Sequence, residues 1–258
     1  MPIAIVIAGV IIAGAIFVSN KQAPGQAGPV TEAPRGDIAI SAVSSSDHLV
    51  GNPSAPVVIV EYSDTECPFC KNFHASMNNL IDTLGKEGKV AWVYRHFPLW
   101  KAEGGGQALH SRAGKEAEAL ECAAKIGGND GFWKYTNELY STTPANNQLD
   151  PAELPKIATR VGLDAAKLQA CLNSNEMAAK VDVQYEEAKK AGAQGTPWSV
   201  VVTQKAFDPK KIAKKITELS LKYRSSPEYF TIDNNNMRIG MSGAQPIELV
   251  KELVLALQ

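Results

Sequence analysis

The spacing of apolar residues divides the chain into segments, and each spacing predicts a different kind of element. The β-branched run "APVVIVEY" at 55–62 predicts a buried strand, and "KVAWVYRHF" at 89–97 predicts a second one. Between them, apolar positions at 67–85 recur every three or four residues, as on one face of a helix. Strand, helix and strand in this order predict a βαβ unit with a right-handed crossover.

Helical spacing then continues through 107–190, where we predict five helices. The strand pattern returns only with "WSVVVT" at 198–203, and an amphipathic helix ends the chain. The simplest arrangement is an α/β domain formed by 46–106 and 191–258, with 107–190 inserted as a helical subdomain.

An insertion at 204–236 lengthens the last β-hairpin of this domain. Within it, Ile212, Ile216, Leu219 and Tyr223 lie on one face of a predicted helix, and lysines lie on the other. The pattern favours a helix packed on the domain with a solvated lysine face; a membrane or partner surface is the alternative.

The N-terminal pattern is different, because the run from Pro2 to Val18 contains no charged residue. As a helix it would reach roughly 25 Å, near the short end of what spans a bilayer. No Lys or Arg precedes it and no clear cleavage motif follows, which favours a retained transmembrane helix at 1–20 over a cleaved signal peptide. The composition of 21–45 predicts a flexible linker.

Composition narrows the classes of function. Hydrophobic residues make up 45% of the 258 positions, which is enough for a sizeable core. Lys and Arg number 26 and Asp and Glu 27, so the net charge of -1 gives no indication of a nucleic-acid partner. The 4 cysteines are too few for a disulfide-dense scaffold, but two of them lie close together in "SDTECPFCKNFH" at 63–74.

These two cysteines, Cys67 and Cys70, directly follow the first predicted strand. Because proline is tolerated at the first helical position, Pro68 places Cys67 at the N-cap, where unpaired N–H groups and the helix dipole favour a thiolate. Such positions lower the pKa of a cysteine from about 8.5 to between ~3.5 and ~7.5. We therefore predict that Cys67 attacks and that Cys70, one turn on, resolves.

Half of a zinc site is the main alternative for this pair. It would need two more ligands at a metal-binding spacing, and the chain offers only His74 nearby. His48, His96 and His110 adjoin no acid–nucleophile set and are expected at the surface or in packing. We predict no metal and no cofactor.

Seven segments of the chain carry a resemblance to a known family: "GNPSAPVVIVEYSDTECPFCKNFH", "RHFPL", "ALECAA", "FWKYTNELY", "VGLD", "GTPWSV" and "GAQPIELVKELV". They resemble successive parts of the DsbA-like thioredoxin-fold family, in particular its membrane-tethered members of the BdbD type. The match runs from about Asp47 to the C-terminus, apart from 204–236. It implies a thioredoxin fold with an inserted helical subdomain, and thiol–disulfide exchange with protein substrates.

The resemblance also implies roles for single residues. Cys67 and Cys70 match the family's catalytic pair, and Pro197 matches the proline that follows a cis peptide bond beside that pair. A cis bond there would let an extended substrate segment pair with the backbone next to the cysteines. The residues expected to bind substrate are Thr196, Pro197, Pro68 and Phe69.

Glu61 interrupts the first apolar strand, six residues before Cys67. A polar side chain at a strand end is one interpretation. Its match to the family's buried acid implies the other, a carboxyl with a raised pKa that relays a proton to Cys70 and so joins the catalytic residues.

The dipeptide between the cysteines departs from the most oxidising relatives, which carry Pro-His where this chain has Pro68 and Phe69. Phe69 adds no charge to hold a thiolate. Cys67 is therefore expected to be less acidic, and the protein a milder oxidant, than those relatives.

Cys122 and Cys171 both fall in the helical subdomain. An even cysteine count in an extracytoplasmic domain favours pairing, so we predict a structural disulfide between them. Two buried free thiols are the alternative.

Together these features predict an extracytoplasmic thiol:disulfide oxidoreductase, held at the cell membrane by a single span, that introduces disulfides into exported proteins. Its substrates would be reduced or misoxidised exported proteins, and the resemblance implies a quinone-linked membrane protein that reoxidises it. Two alternatives stay open: a reductase or isomerase with the same chemistry, and a tethered peptide-binding or chaperone module in which the cysteines are incidental.

Overall fold

The computed structural model describes residues 33–101 and 106–258, which form a mixed β-sheet flanked by helices. The strands are β1 (Arg35–Gly36), β2 (His48–Gly51), β3 (Val57–Ser63), β4 (Val90–His96), β5 (Trp198–Thr203), β6 (Phe230–Asp233) and β7 (Arg238–Ser242). The α-helices are α1 (Pro68–Leu80), α2 (Ala113–Thr142), α3 (Glu153–Arg160), α4 (Ala165–Ser174), α5 (Ala178–Lys190), α6 (Pro209–Tyr223) and α7 (Ile247–Ala256). A π-helical turn, Ile81–Gly85, extends α1, and a 3-10 helix, Pro227–Tyr229, precedes β6.

Within these residues the strand order is β1-β6-β7-β5-β3-β4-β2. The predicted βαβ unit is present, because β3 and β4 pair in parallel and α1 connects them. Every residue of β4 is buried, as expected for a central strand covered on both faces. The carboxyl ends of β3 and β4 therefore meet at one edge of the sheet, and α1 begins at that edge.

Alternate residues of β3 face two separate cores. Ile59 packs in a core that includes residues of α1, α6 and α7, whereas Val60 packs in a second core with Tyr185 of α5 and with Ile38 and Ile40. This period-two alternation is what a strand with both faces covered requires. The helices hold β3, and hence the segment that follows it, from both sides.

The helical subdomain is built from α2 to α5, between β4 and β5. The first two of the predicted helices are joined in α2, but Gly128 interrupts the helical geometry between them, with φ 64° and ψ -159°. Glycine adopts a positive φ at little cost, so the chain can change direction there without leaving the subdomain. Two of the five helices predicted in 107–190 are "SRAGKEAEALECAAKIGG" at 111–128 and "DGFWKYTNELYSTT" at 130–143, and the break between them falls at this glycine.

The insertion at 204–236 consists of α6, the 3-10 helix and β6. Ile212, Ile216 and Leu219 are buried in the core, while β6 extends the sheet by pairing with β7. Packing on the domain is therefore the correct interpretation of the apolar stripe.

The predicted anchor at 1–20 lies outside the described residues, and among the described residues no helix has both the length and the apolar character needed to cross a bilayer. Of the predicted flexible linker at 21–45, the described part, from residue 33 on, packs against the domain. Strand β1 pairs with β6, and Ile38 and Ile40 are only 4% and 7% exposed. The linker prediction was wrong for this part, because the Pro- and Gly-rich composition of the whole segment masked two isoleucines at the period-two spacing of a buried extended chain.

Candidate active site

Cys67 is the N-cap of α1, and Pro68 occupies the first turn. The cysteine backbone is extended, with φ -80° and ψ 121°, and its carbonyl accepts the Lys71 N–H at 3.1 Å, which starts the helix. No side chain caps this end. The unpaired N–H groups of the first turn are therefore available to a negative charge on the Cys67 sulfur.

The pKa values of the two cysteines are shifted in opposite directions. A hydrogen bond from Cys70 lowers the pKa of Cys67 to about 6, against the opposing effect of burial. Cys70 is fully buried, and burial raises the pKa of its thiol well above the ordinary value, with a further contribution from Cys67. The pair can thus hold one thiolate at the helix end and one thiol beneath it, the asymmetry that thiol–disulfide exchange needs.

The loop before β5 lies against this sulfur. The Thr196–Pro197 peptide bond is cis, and the Cys67 thiol donates to the Thr196 carbonyl at 3.4 Å. Gly243 N–H donates to the Pro197 carbonyl at 2.9 Å, which fixes the loop to the end of β7. Thr196 is half-buried and Pro197 is buried, so the loop presents its backbone edge beside Cys67.

Glu61 lies in the centre of the sheet, paired in register with Tyr94 on one side and Ser199 on the other. It has no exposed surface, and neither carboxyl oxygen accepts a hydrogen bond of ordinary geometry from the described residues. Burial, with a smaller contribution from a charge on Cys67, raises the pKa of this carboxyl to about 7. Glu61 in turn raises the pKa of Cys70, so the two groups lie close enough to influence each other's protonation.

Of the other residues expected to bind substrate, Phe69 is 63% exposed, and Pro68 is half-buried beside it. An aromatic ring at the mouth of a redox pair offers an apolar contact to an incoming peptide. The expected site residues of this group, which are Pro68, Phe69, Thr196 and Pro197, therefore flank Cys67 on two sides.

Of the two positions expected for His48, His96 and His110, at the surface or in packing, the structure shows packing. All four are buried, and His110 pairs through Nδ1 with Asp64 Oδ2 at 2.8 Å, three residues before Cys67. His48 and His96 both contact the Glu121 carboxylate, at 3.0 and 2.9 Å, so an acid that the sequence did not indicate lies between them. Sequence spacing gave no signal for these pairs, since 46, 73 and 25 residues separate the partners.

His74, the one histidine near the pair in sequence, does not join the cysteines. Its Nε2 lies 2.7 Å from Asn137 Oδ1, and burial lowers its pKa to about 4. In the described part of the chain, no group of three or more His, Cys, Asp or Glu side chains is arranged to hold a metal ion.

Cys122 of α2 and Cys171 of α4 are bonded, with sulfurs 1.99 Å apart and a sequence separation of 49. The bond lies within the helical subdomain and connects two of its helices. Cys67 and Cys70 are free thiols, so the described state is the reduced form of that pair.

Comparisons with known proteins agree with this geometry. A protein-family model described as Thioredoxin matches residues 44–219. The chain is similar to DsbA2 of Pseudomonas aeruginosa, with TM-score 0.60 and 22% identity over 84% of this chain and 97% of that one. It is also similar to oxidised BdbD of Bacillus subtilis, with TM-score 0.54 and 23% identity over 74% of this chain and all of that one.

A curated relative is a Na(+)/H(+) antiporter NhaA 1 of Mycolicibacterium gilvum, 31% identical over 153 residues. That match covers 58% of this chain, and the chain spans 22% of the antiporter's length. The likeness therefore concerns one part of the larger protein.

Proposed function

Because this chain belongs to the thioredoxin family and has the DsbA-like form of its fold, we propose that it is a protein thiol–disulfide oxidoreductase that uses Cys67 and Cys70. The observation that carries the proposal is the acidity of the two thiols at one helix end. The pKa of Cys67 is lowered to about 6 by its hydrogen bond with Cys70, while burial raises that of Cys70. A metal site or a structural disulfide does not need one acidic and one non-acidic cysteine, whereas thiol–disulfide exchange does.

The exchange begins with the oxidised pair. A substrate thiolate attacks Cys67 Sγ, the Cys67–Cys70 bond breaks, and Cys70 leaves and takes up a proton. A second substrate thiolate attacks the substrate sulfur of the mixed disulfide, which forms the substrate disulfide and releases Cys67 as a thiolate. Two electrons pass from the substrate to the pair, and Thr196 and Pro197 hold the substrate backbone beside Cys67.

Glu61 is proposed as the proton donor for Cys70. A buried thiolate at Cys70 is unfavourable, so its departure is easier when a proton is supplied. Burial raises the pKa of Glu61 to about 7, so near neutral pH this carboxyl can both give and accept a proton.

The acidity of Cys67 supports oxidation of substrates as the preferred direction. A thiolate exists only in the reduced pair, so stabilising it favours reduction of the enzyme and oxidation of its substrate. A reductase or isomerase uses the same residues, and the reduction potential of the pair, measured against glutathione, separates these directions.

We further propose that the protein works outside the cytoplasm, attached to the membrane by 1–20, on reduced or misoxidised exported proteins. The bond between Cys122 and Cys171 favours an oxidising compartment, and the membrane-protein name of the antiporter relative favours a location at the bilayer. A quinone-linked membrane protein would reoxidise the pair.

The test follows the oxidation of a reduced, unfolded protein by stoichiometric oxidised enzyme. We expect Cys67→Ser and Cys70→Ser to lose this oxidation, and a Cys122→Ala/Cys171→Ala variant, which keeps the redox pair, to retain it. Undiminished oxidation by Cys67→Ser would contradict the enzyme proposal and leave a peptide-binding module in its place.

A further inference from the structure

The turn that leads into Cys67 is both acidic and buried. Asp64, Glu66 and Glu116 are at most 3% exposed. Negative charges disfavour a nearby thiolate, and the Asp64 charge indeed raises the pKa of Cys67. A redox cysteine at this position therefore needs something that compensates the surrounding carboxylates.

A proton on Glu116 removes one of the three charges. The carboxyl groups of Glu66 and Glu116 lie against each other, and one oxygen of each has no other partner among the described residues. Burial and the contact with Glu66 raise the pKa of Glu116 to about 9, so this pair carries one proton at neutral pH. Glu66 is held in place by the Asn147 N–H, which donates to its Oε2 at 2.5 Å.

The Asp64 charge is paired with His110 instead. Asp64 Oδ2 lies 2.8 Å from His110 Nδ1 and also accepts the Leu99 N–H at 2.7 Å. The other oxygen, Asp64 Oδ1, accepts the Glu66 N–H at 2.8 Å. The same turn is closed by the Cys67 N–H, which donates to the Asp64 carbonyl. The backbone N–H of His110 donates to the Leu99 carbonyl at 2.9 Å. His110 is therefore held through both its ring and its backbone.

We propose that His110 is a positioning residue of the redox centre: protonated and held by Asp64, its imidazolium cancels the charge of the acidic turn and so keeps Cys67 ionised during exchange. The proposal rests on the proposed function of the Cys67–Cys70 pair and deepens it, by naming the cation that Phe69 does not supply.

The electrostatics of His110 agree with this role. Burial is the largest single influence and lowers the pKa of His110, but the hydrogen bond and the charge of Asp64, together with the charges of Cys67 and Glu66, raise the pKa above its ordinary value. The charged or titratable groups that act on the imidazole are Asp64, Glu66 and Cys67. Glu116 interacts with Glu66, and the guanidinium of Arg112, two residues on, donates to the Leu149 carbonyl. Coupling between two ionisable groups is reciprocal, so a thiolate that favours the imidazolium is itself favoured by it.

The first experiment titrates the thiolate absorbance of Cys67 in a Cys70→Ser background, so that one redox thiol remains. His110→Asn keeps an N–H donor for Asp64 but removes the charge, and we expect it to raise the pKa of Cys67 by about one unit, which lowers the ratio of thiolate to thiol about tenfold at a given pH. Adding Asp64→Asn removes the carboxylate that the imidazolium compensated, so the double variant should return towards the wild-type value. An unchanged pKa in the single variant, or a double variant that stays as high as the single one, would overturn the proposal, since a merely structural role predicts no such reversal.

A second measurement needs no variant and decides the matter even where these variants fold poorly. Nuclear magnetic resonance titration of the His110 ring in the wild-type protein should give a higher pKa for His110 when Cys67 and Cys70 are reduced, and the thiolate is present, than when they are oxidised. Equal values in the two forms would refute the coupling. Oxidation of a reduced substrate by the wild-type protein is measured separately, so loss of the proposed function and loss of the His110 role are distinguishable results.

Discussion

The acidity of Cys67 has a consequence for stability that can be measured directly. We expect the free energy of unfolding of the reduced protein, relative to a Cys67→Ser variant, to rise between pH 6 and pH 9. The hydrogen bond with Cys70 lowers the pKa of Cys67 from 9.0 to about 6 on folding. In this window the folded state binds fewer protons than the unfolded state, so stability increases with pH and is lost as the pH falls through 6.

The magnitude follows from the shift. At 1.36 kcal/mol per pKa unit, the full contribution above pH 9 is roughly 4 kcal/mol, and at pH 7 it is on the order of 1 kcal/mol. Other buried groups act in the opposite direction: burial raises the pKa of Glu61 to about 7 and that of Glu116 to about 9, so their contributions weaken as the pH rises. The difference between the two proteins removes the contribution of Glu116 and most of that of Glu61, since burial, which both proteins share, is the largest cause of the Glu61 shift and the Cys67 charge is a smaller one. Cys70 does not interfere, because its pKa is raised out of the window.

The assay is urea unfolding of both proteins under anaerobic conditions, after limited reduction that leaves Cys122–Cys171 intact, as checked by mass. The difference in free energy should grow with a slope that approaches about 1.4 kcal/mol per pH unit between pH 7 and pH 8. Serine changes packing and hydrogen bonding by an amount that does not depend on pH, so only the slope is diagnostic. A flat difference across this range would mean that Cys67 titrates as an ordinary thiol, and the reasoning from the helix end would fail.

Three further outcomes follow from the same geometry. Glu61→Gln, which keeps the shape but cannot give a proton, should slow oxidation of a reduced substrate by roughly 10²-fold and remove the pH dependence near 7, as stopped-flow fluorescence would report; an unchanged pH profile would contradict the relay. The Cys122→Ala/Cys171→Ala variant should lose about 4 kcal/mol of stability in urea unfolding yet keep exchange, whereas loss of exchange in a folded variant would show that this bond takes part in the chemistry. Phe69→His should lower the pKa of Cys67 and raise the reduction potential measured against glutathione, and a potential that does not move would show that charge at this exposed position is screened by solvent.

Local patterns predicted those parts of the fold that local physics determines. The strand at 55–62, the helix start at Pro68 and the stripe around Ile216 each depend on residues a few positions apart, and each is present. The segment from residue 33 on was misassigned because it is held by pairing with β6, where Arg35 lies opposite Ile232, 197 residues away along the chain. The period-two spacing of Ile38 and Ile40 is too short a pattern to indicate such a distant partner against the Pro- and Gly-rich composition around it.

The candidate site divides in the same way. The Cys67–Cys70 pair and its helix end follow from four consecutive residues, and the proline loop followed from resemblance to a family. The Asp64–His110 pair did not follow from either, because two buried groups that are 46 residues apart meet only once the helical subdomain is placed against the end of β3. The sequence around Asp64 and His110 does not distinguish them from other Asp and His residues. Their effect on Cys67 depends on their burial, which is seen only in the folded structure.

The acidity of the nucleophile is therefore not a property of the dipeptide alone. Phe69 brings no charge, yet the pKa of Cys67 is still lowered to about 6, and the hydrogen bond from Cys70 is the largest cause. The thiolate stabilisation at pH 7, on the order of 1 kcal/mol, corresponds to about 30 mV in the potential of a two-electron couple. Since roughly 150 mV separates a thioredoxin-like reductant from a strong DsbA-like oxidant, thiolate stabilisation of this size favours the reduced form of the pair, and so oxidation of the substrate, without making the pair a strong oxidant. The milder oxidant expected from the Pro-Phe dipeptide is thus what the energetics of the whole site also favour.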